Sequence, residues 1–256
     1  MAEFDRQTVN APASSAVIDQ GLRSYMLKVY NYMGVGLAVT GVIAYFANQL
    51  AVTTDSANSA AQMANGTMLT SFGVAVYTSP LMWVITLAPL AFVLALSFGI
   101  NRMSSATAQL VFWAFAAVMG VSLSSIFMVY TGTSIAKVFF ISAAMFGAMS
   151  LYGYTTKRDL TGFGSFLFMG LIGIVIASIV NVFITSSALS FGISIVGVLI
   201  FVGLTAYDTQ RIKESYYEGD GVEMMGKKAI MGALSLYLDF LNLFLMLLRL
   251  MGNNRN

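Results

Sequence analysis

Apolar residues in this chain gather in seven long runs, without the alternation of half-buried strands or the one-sided stripes of soluble helices. A helix needs about 20 such residues to cross roughly 30 Å of hydrocarbon. The runs lie near Val29 to Ala47, Leu81 to Ile100, Ala108 to Tyr130, Ile135 to Tyr154, Gly164 to Ile184, Leu189 to Tyr207 and Ala229 to Leu250. Short polar connections separate them, apart from one longer Ala-, Ser-, Thr- and Asn-rich loop from Gln49 to Ser79. This pattern predicts an all-α polytopic membrane bundle, with a seven-helix transmembrane domain over 28–252 and short tails at 1–27 and 253–256. The N-terminal tail carries Asp5, Arg6, Asp19 and Arg23 and lacks the apolar stretch of a signal peptide, so it is expected to be retained.

Composition agrees with that solvent. Hydrophobic residues make up 58% of the 256 and charged residues 9%, at a mean hydropathy of +0.80, whereas soluble domains carry about 25% charged residues. A net charge of +2, with the basic residues at run ends, gives no surface for nucleic acid. The chain has no Cys, so there is no disulfide framework or thiolate chemistry. It has no His either, which argues against zinc or haem ligation and serine–histidine hydrolysis. No resident cofactor is expected.

Small residues mark the packing faces, because lipid tails give apolar helices no other reason to associate. Gly34, Gly36 and Ala38 form one such patch, Ala143, Ala144, Gly147 and Ala148 another, and Gly170, Gly173 and Ala177 a third. The string GFGSFLFMG opens a membrane run and lacks the GK[ST] of a phosphate loop.

Ten Lys and Arg fall on the N-terminal side of the predicted membrane: Arg6, Arg23, Lys28, Arg102, Lys157, Arg158, Arg211, Lys213, Lys227 and Lys228. Lys137, Arg249 and Arg255 fall on the other. The positive-inside bias then makes the N-terminal side cytoplasmic. Seven crossings leave the C-terminus outside, with a last segment that re-enters without crossing as the alternative.

Two acids stand out against this background. Asp239 lies ten residues into the seventh run, where an ionised side chain costs about 2.5–3.5 kcal/mol on insertion scales and marks a functional site. Asp208 closes the sixth run in LTAYDTQRIK. The two reach the same depth if the sixth helix continues to about Tyr216, which places Asp208 roughly 12 Å in from its end. Ser235, Asp239 and Asn242 share a face of the seventh helix as ion path or support, and Arg102 at the end of the second is the expected cationic partner. Paired carboxylates in a low-dielectric site tend to share one proton. Doubly ionised, they repel and offer oxygens to a passing Ca²⁺, so Asp208 and Asp239 are also candidate transient metal ligands. The plain alternative is that each aspartate only makes an interhelical hydrogen bond or salt bridge, and that Arg102 only anchors the chain at the interface.

The strings GLTAYDTQRIK, ALSLYLDFLNLFLMLLRLMG and SLYGYTTKRDLTGFGSFLFMGLIG resemble the transmembrane Bax-inhibitor-motif family, in particular its bacterial members, over about Gly21 to Gly252. The resemblance implies a seventh helix wrapped by the other six. It also implies a pH-dependent calcium leak of the inner membrane, governed by a hydrogen-bonded aspartate pair with a nearby arginine. Carried over, the pair falls on Asp208 in YDTQ and Asp239 in LYLDF, and the arginine on Arg102 in GINRMSS. Some bacterial relatives instead regulate an ATP-dependent membrane protease through their N-terminal tail, and the polar tail here suits such a handle.

Enzymatic readings fit less well. An intramembrane aspartyl protease would follow its YD block with GxGD, and LYLDF lacks that glycine. A retinal protein needs a Lys in the seventh run, and 229–250 has none. The expected partners are therefore lipid, protons and Ca²⁺ and, on the alternative reading, a membrane-bound ATP-dependent protease.

Overall fold

The computed structural model describes residues 11–63 and 66–255. Among them the chain forms nine α-helices: α1 Ala11–Ala51, α2 Ser71–Tyr77, α3 Leu81–Gly99, α4 Ser105–Leu123, α5 Ile126–Val129, α6 Gly132–Thr155, α7 Thr161–Ile184, α8 Ser187–Glu214 and α9 Val222–Met251. Seven spans are long and apolar enough to cross a membrane, and each predicted run matches one of them, two of the runs overshooting by one residue, at Ile100 and Tyr130. They are Gln20–Ala51 of α1, Ser105–Val129 across α4 and α5, and the whole of α3, α6, α7, α8 and α9.

Side-chain caps begin three of the membrane helices. Ser104 accepts from Thr107 N at 3.1 Å, Thr131 from Ser134 N at 3.3 Å and Ser186 from Leu189 N at 3.3 Å, each satisfying an amide left free by the first turn. Thr185, at φ 53°, ends α7 in a left-handed turn.

The apolar runs underestimate the helices, because a run measures the hydrocarbon and the helix continues beyond it. Ala11 to Leu27, expected as tail, are the first turns of α1, while Met1 to Asn10 lie outside the described residues. The Gln49–Ser79 loop also holds structure: β1 Val52–Thr53, β2 Ala61–Gln62 and β3 Met68–Leu69 form an antiparallel sheet in the order β1-β3-β2, followed by α2. Thr70 ties this cap to α1, donating to Leu50 O at 2.7 Å and accepting from Gly73 N at 3.1 Å.

Helix α9 is the axis of the bundle. In its most apolar stretch 67% of residues are buried, against 11% in α3 and α7, so α9 is central and those two face lipid. Helices α1, α3, α4, α6 and α8 surround it. Helix α7 packs chiefly on α8. Small residues set that contact, since a Cβ at Gly164 would strike the Tyr207 ring and one at Gly203 would strike Leu167.

The last helix runs the full length of the bundle. Beyond it, Arg255 N donates to Val129 O at 2.8 Å and Asn253 N to Ser134 Oγ at 2.9 Å, which fastens the chain to the α5–α6 turn, opposite the α8–α9 turn.

Candidate functional site

Helices α8 and α9 run antiparallel, and the close approach is made at Gly232, whose missing side chain leaves room for Ile212. Helix α9 starts well beyond the end of α8. Its first turn reaches α4, where the Glu223 carboxylate accepts from Ser105 N at 2.6 Å and from the Ser105 hydroxyl at 3.1 Å. That offset brings two unequal depths to one level. Asp208 lies six residues before the end of α8 at Glu214, about 9 Å of helix, and Asp239 lies 17 residues into α9, about 25 Å.

The two aspartates meet. Both are 5% exposed and lie on helices packed against each other, with their carboxyl groups close enough to interact. Oδ1 of Asp208 and Oδ2 of Asp239 are fully buried and have no hydrogen-bond partner as ionised groups. Two carboxylates have only acceptors to offer, so the contact becomes a hydrogen bond only with a proton between them.

Their cationic neighbour is Arg211, one turn on from Asp208 in the same helix. Its Nη2 stands 3.1 Å from Asp208 Oδ1, an ion pair by distance but too oblique for a hydrogen bond. Nη2 also donates to Ser235 Oγ on α9 at 3.3 Å, and the guanidinium lies 5.6 Å over the Tyr207 ring. Its side chain is 47% exposed, so solvent screens the pair.

Of the five residues predicted for the site, the structure thus joins Asp208, Asp239 and, through Arg211, Ser235. Arg102 stands apart, exposed in the α3–α4 turn, and among the described residues it pairs with no acid. Asn242 turns away as well: its Nδ2 donates to Leu238 O in its own helix at 2.8 Å. The sequence reading missed Arg211, although the i, i+3 spacing of YDTQR places it on the face of Asp208.

The remaining residues of YDTQRIK anchor α8 to its neighbours. Thr209 donates to Thr205 O, which leaves its oxygen to accept from Ser150 at 3.0 Å; Ser150 in turn accepts from Tyr30 at 2.6 Å. Gln210 clamps the α6–α7 turn, accepting from Leu160 N and donating to Arg158 O, each at 2.8 Å. Lys213 donates to Tyr154 O at 2.8 Å. In LYLDF, Tyr237 stacks edge-on against Phe112 and Phe115 and donates to Thr40 at 2.7 Å.

A family model described as "Inhibitor of apoptosis-promoting Bax1" matches residues 22–256. The chain belongs to the Bax inhibitor family. The inner membrane protein YbhL of Escherichia coli (strain K12) is 46% identical over 249 residues, covering 95% of this chain and 98% of that one. Protein RP147 of Rickettsia prowazekii (strain Madrid E) is 47% identical over 250 residues, or 98% of both chains. A protein of Caulobacter vibrioides is 42% identical over 259 residues, the full length of each. This Bax inhibitor family member is therefore an integral membrane protein, and its buried aspartates lie in the two helices that meet at its core.

Proposed function

We propose that this chain is a pH-sensitive cation leak of the inner membrane, with Ca²⁺ as cargo, held shut by a proton shared between Asp208 and Asp239. The observation that carries the reading is a pair of buried carboxyl oxygens without hydrogen bonds, Asp208 Oδ1 and Asp239 Oδ2, on the two helices α8 and α9. Inner-membrane placement follows the relative YbhL, which is named an inner membrane protein. The excess of Lys and Arg puts the α8–α9 turn and the N-terminus in the cytoplasm.

The surroundings suit a gate. A crevice of ≈ 280 Å³ reaches in from the α8–α9 turn between Arg211, Ser215, Lys228 and Ser235. At the opposite end, Ser178, Asn181, Ser190, Ser194 and Arg249 line a polar cavity of ≈ 680 Å³. Between the two, Ile200, Phe201, Leu204, Leu243 and Leu247 fill the bundle, as a shut leak would require. With the proton bound, the aspartates tie α8 to α9 beside this plug. Once it leaves, two like charges in a poorly solvated site push the helices apart and admit water.

Calcium takes six to eight oxygens, and among the described residues no cluster of three or more acidic or other metal-binding side chains is present. Two carboxylates and water make a site of passage rather than residence. In proteoliposomes Ca²⁺ flux is expected to rise with pH, the direction in which the shared proton is lost. A flux that falls or stays level as pH rises would count against the latch.

Arg211 gives a second prediction. Its guanidinium favours the ionised pair, so Arg211→Gln should require a higher pH for opening. The flux midpoint moves up by about half a pH unit, as expected for a partly screened contact worth less than about 1 kcal/mol. Arg102→Ala leaves the midpoint in place. The opposite ranking, read from flux against pH, would restore Arg102 as the partner.

A further inference from the structure

We propose that the cleft between α1 and α6 is a binding site for one anionic phospholipid, with an acyl chain in the cleft and its phosphate on Arg23 at the mouth. Helices α1 and α6 flank α9 without packing closely on one another, and the gap between them is a cavity of ≈ 540 Å³. Met26, Leu27, Phe146 and Leu151 make its walls apolar. Its volume lies within the range of about 300–1,000 Å³ typical of ligand sites. Leu27 and Leu151 are more than half exposed, so the cleft opens sideways into the hydrocarbon.

The head of the cleft has a different chemistry. Arg23 and Leu27 also border a polar groove along α1 formed with Gln20, Ser24, Lys28, Asn31 and Tyr32 and, among the described residues, with no acidic residue. Among the described residues neither Arg23 nor Lys28 has an ion-pair partner. Arg23 borders both the apolar cleft and this groove, where the Lys28 ammonium stands 5.9 Å over the Tyr32 ring, so the mouth of the cleft complements a lipid whose negative phosphate joins its chain. Arg23 lies at the end of the bundle that carries Tyr154, Lys213 and the α6–α7 turn, the level of headgroups rather than of chain ends. A soluble phosphate would use the groove and leave the cleft unfilled. The polar floor, where Tyr30 donates to Ser150 and Ser150 to Thr209, lies one residue from Asp208 along α8.

Gly147 provides the test, because it borders the cleft and a Cβ there would have nothing within 4 Å. Native mass spectrometry of the detergent-solubilised full chain would follow titration with phosphatidylglycerol and with phosphatidylcholine of the same acyl chains. The expected result is one phosphatidylglycerol retained per chain in preference to phosphatidylcholine. Arg23→Gln should weaken it about fivefold, the value of roughly 1 kcal/mol per basic residue at a membrane surface, and Gly147→Phe should remove it. Leu151→Trp fills the cleft from its other wall and gives a second route if Gly147→Phe fails to fold. Equal retention of the two lipids by the wild type, or undiminished phosphatidylglycerol on the filled variants, would overturn the proposal. So would full competition by glycerol phosphate, which has the headgroup's charge and no chain.

Discussion

Asp239→Asn is expected to hold the leak shut at every pH. The asparagine amide can donate to the Asp208 carboxylate as the shared proton would, so the variant imitates the protonated pair and cannot lose that proton. It removes a like-charge repulsion on the order of 4 kcal/mol, for charges about 4 Å apart at an effective dielectric near 20. That is roughly a thousandfold in an open–closed equilibrium. Flux at the alkaline end of the profile should therefore drop at least tenfold while the acid end stays low. Burial of Asp239 at 5% exposure makes the substitution isosteric without new desolvation cost, so thermal stability in detergent should hold or rise. Asp208→Asn should flatten the same profile but leaves Arg211 with only the Ser235 hydroxyl, so it should fold less stably than Asp239→Asn. A wild-type rise of flux with pH in Asp239→Asn would remove the latch from consideration.

The physics that made parts of this molecule legible also explains what stayed hidden. Seven crossings could be read because hydrocarbon demands a run of apolar residues for each span, and Asp239 stood out because a carboxylate there is costly. The meeting of Asp208 with Asp239 depended on α8 outrunning its apolar run, and it does so, to Glu214. Arg211 stayed hidden behind Arg102, a cation on another helix at the same membrane face. The local i, i+3 pair needed no tertiary knowledge. Asn242 misled for the opposite reason: a shared helical face says nothing about whether an amide turns back to its own backbone. The extramembrane sheet was invisible because strands of two residues are too short to show an alternation. That α7 rests chiefly on α8 depends on which neighbour each small residue meets, which spacing alone cannot supply.

Two glycines of α6 should respond in opposite ways to the same added methyl. At Gly153 a Cβ would overlap the carbonyl of Ala206, and backbone cannot swing aside as a side chain can. Gly153→Ala must therefore push α6 from α8, at a cost of about 1–3 kcal/mol for overpacking. Alanine's better helix propensity recovers about 1 kcal/mol or less of that. At Gly147 the added Cβ meets nothing within 4 Å, so Gly147→Ala retains only the propensity gain. Thermal unfolding in one detergent should place Gly153→Ala several degrees below wild type and Gly147→Ala level with it or above. The separation of α6 from α8 has a second consequence, because Gly153 faces Ala206 two residues before Asp208. The hydrogen bonds from Ser150 to Thr209 and from Lys213 to Tyr154 O cross the same seam and would lengthen with it. Gly153→Ala should then raise flux at pH values where the wild type is closed, since it loosens α8 without touching a carboxylate. Equal stability of the two alanine variants would mean that the α6–α8 seam is looser than the structure has it.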